Sequence, residues 1–304
     1  MPRSPRCAIL ARVSAHTLEL PGGQTLEYIV AGDGPNLVVY HHGTPAAGPI
    51  PGSLAAAAAD HGFTVAEVVR PGYGASTRQP GRSVADVVPL ALAVADALGH
   101  EHFATVGWSG GGPHALATAA LAPTRCVGAL SLAGVAPFDA EGLDFLAGMG
   151  QDNIDEFSAA LAGTAQLSDY LTAAAEGLRA VTGGDLVAAM GSLLPPVDRA
   201  HLAGQTGEEL AEELRFSVAA GIWGWHDDDM AFTQPWGFDL DMVGSGAHIW
   251  QGSDDLMVPF AHGQWLANRI PGAAVSLLDG QGHLSLAEPA FQSTLPVFAA
   301  ALAR

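Results

Sequence analysis

Ser109 stands in Gly107-Trp108-Ser109-Gly110-Gly111, the one G-x-S-x-G of the chain. A serine hydroxyl is a poor nucleophile until a neighbouring base takes its proton. A strand-to-helix turn sharp enough to expose that hydroxyl forces close approach of its neighbours, which is why glycines flank it. The setting fits: the apolar run 102–108 precedes Ser109, and a helical pattern follows from Pro113, a residue suited to a first helical turn. Helix N-terminal amides would then face negative charge arising at the hydroxyl. The hypothesis demands a histidine and an orienting carboxylate further along, and both are present in that part of the chain. Gly252-Ser253-Asp254-Asp255-Leu256-Met257-Val258-Pro259 follows the apolar run 247–251, and His283 sits in Gly280-Gln281-Gly282-His283-Leu284, just past the run 274–278. A tetrahedral oxyanion also needs donors. His41-His42-Gly43-Thr44-Pro45 follows the run 36–41, and the backbone N–H groups of Thr44 and Gly110 are assigned to that role. Trp108 and His42, beside the nucleophile and the oxyanion turn, are candidate substrate contacts.

These residues need a scaffold that brings distant loops to one edge. Short apolar runs at 36–41, 63–69, 102–108, 126–133, 247–251 and 274–278 read as strands. Ala- and Leu-rich segments at 53–61, 83–98, 113–121, 260–269 and 288–302 carry helical spacing between them. Such alternation predicts an α/β fold, a doubly wound and mostly parallel sheet covered on both faces, with sites at the strands' C-terminal ends. Two earlier runs, 14–20 and 25–31, separated by Pro21-Gly22-Gly23-Gln24, read as an antiparallel hairpin at the sheet edge. Between 137 and 235 no strand is convincing and several helical patterns occur, so the core is expected to comprise 1–136 and 236–304, with 137–235 as a helical insertion.

Composition removes other chemistries. All twelve basic residues are Arg, so a Schiff-base lysine, a P-loop lysine and a Ser-Lys dyad are impossible. A formal charge of −19 and no basic cluster argue against nucleic acid or an anionic membrane as partner. Cys7 and Cys126 are too few for a disulfide framework and lack metal spacing, and a reducing, cytoplasmic location is expected. The first apolar run is broken by Arg12, too short for a signal peptide, and the longest apolar stretch, 87–95, falls far below a membrane span. Adjacent His41 and His42 would point to opposite faces of a strand and have no carboxylate companion, so no metal is expected, nor any cofactor. His114, on the helix after Ser109, is read as buried or helix-facing rather than reactive. Oligomeric state is left open.

With these motifs in place, the chain resembles the α/β-hydrolase superfamily over most of 25–136 and 236–300. Five landmarks agree in order: His42-Gly43-Thr44-Pro45, Arg70-Pro71-Gly72-Tyr73-Gly74-Ala75-Ser76, the turn around Ser109, the Gly252–Pro259 segment, and Gly282-His283. The resemblance implies Ser109 as nucleophile, His283 as base, and Asp255, three residues after Gly252, as acid. Asp254 next to it and Asp139 after the earlier strand are the alternatives. It also implies that 137–235 is a helical cap. Serine at the turn is unlike the dehalogenase and epoxide hydrolase branches, which place Asp there, so carbonyl chemistry is expected: a serine esterase acting on a small-molecule acyl substrate. Two rivals stand beside it. One is an aminopeptidase like the prolyl iminopeptidases, in which cap carboxylates receive the substrate amine. The other is a non-catalytic ligand-binding homologue. Glu208, Glu209, Glu212 and Glu213 share one helical segment and are expected to form a solvated face. Trp108, Trp223, Trp225 and Trp236 could line an acyl pocket or pack the core.

Overall fold

The computed structural model describes residues 13–304; Cys7 and the N-terminal stretch read above as no signal peptide lie outside the described residues. The expected runs become eight strands: β1 Ser14–Leu20, β2 Gln24–Ala31, β3 Asn36–His41, β4 Phe63–Val68, β5 Phe103–Trp108, β6 Cys126–Leu132, β7 Ala247–Gly252 and β8 Ala274–Leu278. They form one sheet in the order β1-β2-β4-β3-β5-β6-β7-β8. From β4 to β8 every pairing is parallel, while β2 meets β4 and β1 antiparallel, so the hairpin closes one edge. The chain steps from β3 to β4 on one side and then to β5 on the other. The C-terminal ends of β3 and β5 therefore flank a topological switch, where an open parallel sheet leaves a crevice.

Helices α1 (Gly52–Asp60), α2 (Val88–Ala97) and α3 (Gly112–Leu121) alternate with these strands; α10 (Phe260–Arg269) and α11 (Ala287–Leu302) follow β7 and β8. The long pattern at 83–98 divides into a 3-10 turn at Ala85–Val87 and α2, with Pro89 in the helix's first turn, where its missing N–H costs nothing. Strand pleating explains why the runs are apolar throughout. On β3, Val38 and Tyr40 pack with Leu54 of α1 and Phe291 of α11, while Leu37 and Val39 pack with Leu90 and Val94 of α2 on the opposite face.

Between β6 and β7 the chain forms α4 (Gln151–Ala162), α5 (Thr164–Leu178), α6 (Leu186–Ala189), α7 (Pro196–His201), α8 (Gln205–Ala219) and α9 (Trp223–Phe232). Despite its Asp227-Asp228-Asp229 run, α9 is among the most buried of these, with Trp225, Asp228 and Phe232 all inside. Among the described residues, no helix is long and apolar enough to cross a membrane.

Candidate active site

Ser109 begins the 3-10 turn that joins β5 to α3, and its backbone takes φ of +56°, a left-handed conformation rare for a residue with a side chain. The flanking glycines are required by contact. A Cβ on Gly107 would overlap the Gly111 carbonyl, and one on Gly111 would overlap the His41 carbonyl. The turn thus holds Ser109 half-buried at the floor of a cavity of about 640 Å³, a size suited to a small molecule.

His283, on the loop between β8 and α11, lines the same cavity. Its Nδ1–H donates to Asp255 Oδ2 over 2.8 Å; a carboxylate can only accept, so this bond fixes the ring tautomer and leaves Nε2 as the basic nitrogen. Asp255 is buried and saturated. Gln251 Nε2 donates to its Oδ2 (2.8 Å), and the backbone N–H groups of Met257 (2.9 Å) and Val258 (2.8 Å) donate to its Oδ1. Burial alone would lower the proton affinity of His283, but the Asp255 charge and hydrogen bond, with Asp198 adding to them, outweigh it and raise the imidazole above its usual value. Neither alternative acid reaches the ring. Asp254 receives the Ser253 hydroxyl at the surface, and Asp139 is exposed. No direct hydrogen bond joins Ser109 to His283 in this conformation; such contacts commonly tighten only with substrate. Trp108 lies alongside the His283 ring at 6.4 Å between centroids and donates its indole N–H to the His283 carbonyl (3.3 Å).

The His42–Thr44 turn is held from behind. Arg70, wholly buried, donates to the carbonyls of His42 and Gly43 and to Thr44 Oγ1 (3.0 Å), and pairs with Asp228 of α9. Asp228 Oδ2 also accepts from the Thr44 hydroxyl (2.8 Å) and the Tyr73 hydroxyl (2.9 Å), and Arg82 pairs with its other oxygen. Burial disfavours the Asp228 charge, yet the two guanidinium groups prevail and hold the carboxyl well below the usual range. Thr44 lines the cavity, and Gly110 packs beneath it so closely that a Cβ there would strike the Thr44 hydroxyl.

His42 is placed otherwise than expected. It is fully buried, donates Nδ1–H to the Gly43 carbonyl (2.7 Å), accepts the Arg70 backbone N–H at Nε2 (3.2 Å), and meets Tyr73 edge-on. Both ring nitrogens are committed to backbone, and the ring does not line the cavity, so His42 shapes the turn instead of touching a ligand. Of the tryptophans, Trp108 and Trp225 line the cavity, Trp236 is packed in the core, and Trp223 is exposed beneath the Arg78 guanidinium. His114 is buried and donates to the Val84 carbonyl (3.1 Å).

The four glutamates of α8 divide. Glu208 and Glu212 are exposed, as a solvated face requires, whereas Glu209 and Glu213 line the cavity. Glu213 is only 6% exposed, and no hydrogen bond to its carboxyl occurs among the described residues. Burial, then the charges of Glu67, Glu209 and Glu212, push that carboxyl well above its ordinary range. Glu156 of α4, also on the wall, accepts the Trp225 indole N–H (2.8 Å) and is raised by burial to about 7. Asp198 and Glu156 lay in no motif, and Asp228 was marked only by the acidic Asp227–Asp229 run. Arg70 and Tyr73 lay in a landmark without a role, and Glu213 lay in the glutamate-rich segment expected to be a solvated face.

Comparison with known proteins gives the same architecture. The family model for the alpha/beta hydrolase fold matches residues 36–290. Among solved structures, a thermophilic esterase from Thermogutta terrifontis superposes with a TM-score of 0.65 at 18% identity, covering 93% of this chain and 96% of that one. A bromoperoxidase from Bacillus anthracis gives 0.65 at 22%, covering 94% and 99%. The enol-lactonase from Burkholderia xenovorans gives 0.60 at 18%, covering 95% and 100%. No curated protein matches the chain by sequence. At these identities the structural likeness speaks for the fold, and the family model, spanning most of the chain from the third strand to the last helix, settles the kinship: this protein belongs to the α/β-hydrolase family.

Proposed function

We propose that the protein is a serine hydrolase that cleaves a carboxylic ester or a related small acyl substrate without a cofactor. Ser109 Oγ attacks the carbonyl carbon while His283 Nε2 takes its proton. Asp255 holds the imidazole and stabilises the cation that forms, and the Thr44 and Gly110 amides receive the oxyanion. Collapse of the adduct expels the alcohol, protonated by His283, and leaves an acyl-enzyme. Water, activated by the same imidazole, then releases the acid. The helical segment 137–235 acts as a cap that excludes bulk water and shapes the pocket. The observation that carries this reading is the 2.8 Å His283–Asp255 bond opening onto the cavity at whose floor the strained Ser109 turn stands.

The lining narrows the substrate. Trp108, Trp225, Leu178, Leu210 and Met257 supply apolar walls, and among the described residues no Arg lines the cavity, so an acyl group bearing a negative charge is disfavoured. One feature favours a second reading. The unpartnered Glu213, with Glu209 beside it, would suit a substrate amine, as in an aminopeptidase.

A fluorophosphonate probe followed by a panel of short esters and aminoacyl arylamides tests the proposal. Labelling is expected at Ser109 alone and is lost in Ser109→Ala, with short esters turned over faster. Labelling that persists in Ser109→Ala places the nucleophile elsewhere. No labelling at all favours a non-catalytic binding protein. Arylamides hydrolysed faster than any ester, with the preference erased by Glu213→Gln, establish the aminopeptidase reading.

A further inference from the structure

The loop that carries His283 is gripped by a carboxylate from outside the sheet. Asp198, on α7, is fully buried, and its oxygens accept three successive backbone N–H groups: Oδ2 from His283 (2.7 Å), Oδ1 from Leu284 (3.0 Å) and from Ser285 (3.0 Å). Gly282, immediately before the histidine, makes room for it; a Cβ at that position would overlap the Asp198 carboxyl. Among the described residues no Arg or His pairs with Asp198, so its charge is met by these amides alone. This is more than a cap on a helix end. The donors are the residue bearing the imidazole and its two successors, and α11 begins only at Ala287.

His283 is tied at two further points: its ring donates from Nδ1 to Asp255, and its backbone carbonyl accepts the Trp108 indole N–H. Asp255 and Asp198 come from different parts of the chain, the loop after β7 and the helices before it. A ring held by Asp255 alone could still swing with its loop, and displacement of a reacting group by about 1 Å can cost on the order of a hundredfold in rate.

We propose that Asp198 is a positioning residue for His283: a carboxylate of the helical segment between β6 and β7 that clamps the backbone of the base-bearing loop, so that seating of that segment and competence of the base are one event. This rests on the reading of His283 as the base. A buried negative charge beside the imidazole also favours its cation, the form it takes as Ser109 attacks. The other titratable groups on the cavity are His201 of α7, Glu288 of α11, Asp152 and Glu156 of α4, Glu209 and Glu213 of α8, Tyr40 of β3 and Tyr170 of α5; of the titratable groups, only Asp255 and Asp198 hydrogen-bond His283.

Asp198→Asn tests this in the full-length protein, because it keeps shape while removing the charge and turning an N–H toward N–H donors. Ester turnover is expected to fall on the order of ten- to a hundredfold in kcat, with KM changed less than about threefold. The acid limb of kcat/KM, and the NMR titration of the His283 ring, should both move to lower pH, since a base without its neighbouring anion loses its proton sooner. If Asp198→Asn does not fold, Asp198→Ser, uncharged and able to serve the amides through its hydroxyl, reads the same quantities. A fall in thermal stability with kcat and the ring titration unmoved overturns the proposal and leaves Asp198 a structural staple. His283→Ala and the probe report separately on the hydrolase reading. Should that fail, the ring titration still decides: a downward shift supports the clamp and no shift refutes it.

Discussion

Asp255→Asn perturbs the candidate site at one atom, and the neighbours of Asp255 dictate which way the amide turns. With its NH2 in the place of Oδ1, it would face the N–H groups of Met257 and Val258, both fixed in the backbone. With its NH2 in the place of Oδ2, it faces His283 Nδ1 and the amide of Gln251. Gln251 Oε1 has no partner, so a flip of that side chain relieves the second orientation at the cost of its bond to the Val258 carbonyl. The second orientation therefore prevails. It donates to Nδ1, forcing the ring proton onto Nε2, the nitrogen that must accept from Ser109. The base is then present in the wrong tautomer, the circumstance in which such substitutions cost on the order of 10³ to 10⁴ in kcat, or about 4 to 5.5 kcal/mol at 1.36 kcal/mol per decade. The fold should survive, because the exchange is isosteric. Steady-state hydrolysis of a p-nitrophenyl ester against pH gives the measurement. The His283 imidazole, raised by Asp255 first and Asp198 second, must be neutral to act, so the residual activity should persist to lower pH than in the parent. A loss below tenfold, or a comparable loss in Asp139→Asn, refutes the tautomer argument and moves the acid elsewhere.

Other perturbations separate the supporting residues. Asp228→Asn strips two buried guanidinium groups of their counter-charge and should lower stability by about 3 to 5 kcal/mol in denaturant unfolding; an unchanged midpoint would show that Arg70 finds other partners. Glu213→Gln should raise Tm at alkaline pH and converge with the parent near pH 4.5. A carboxyl whose proton affinity is raised by folding costs stability once the unfolded chain ionises, and that cost grows until the folded group ionises too. Equal Tm differences at both pH values would refute it. Glu208→Gln with Glu212→Gln, both exposed, should change ester kcat/KM by less than about threefold. Gly111→Ala should yield no stably folded protein, since its Cβ would coincide with the His41 carbonyl; a folded variant with ordinary Tm would mean the turn can open.

Sequence disclosed most of what a sheet requires and little of what crosses between elements. The strands were legible because both faces of β3 to β6 are covered, which writes unbroken apolar runs into the chain. Ser109 was legible because backbone contact demands glycine at 107 and 111, leaving a pattern. Order along the chain pointed to His283 and the Gly252–Pro259 segment, and the imidazole is hydrogen-bonded to Asp255 and not to Asp254. The α8 glutamates misled because four acids in six residues were read as one face. On a helix, 208 and 212 share one stripe and 209 and 213 the next, about 100° around, and only the second meets the cavity. His42 misled because nearness to the Thr44 turn in sequence does not fix which way a ring points. Asp198 and Asp228 were invisible for another reason: their partners are backbone amides or an arginine more than eighty residues away, and no spacing rule encodes such pairs.

Those two aspartates show what the helices between β6 and β7 contribute beyond a wall. The proposed mechanism needs a rigid oxyanion turn and a rigid base, yet the residues proposed for both stand on loops, the parts of a fold with the fewest constraints of their own. Here each loop is tied to the inserted helices by a buried carboxylate, Asp228 acting through Arg70 on His42–Thr44 and Asp198 acting directly on His283–Ser285. The chain's exclusive use of arginine matters at the first of these. One planar guanidinium reaches two carbonyls, a hydroxyl and a carboxylate together, which a single ammonium on a flexible stem cannot do with the same geometry. A buried charge in this setting is weak evidence for stability but a strong constraint on register, because any other arrangement strands it without a partner. The helices over the cavity are accordingly bound to both loops by buried carboxylates, and under the proposed clamp a site built this way is complete only when those helices are seated.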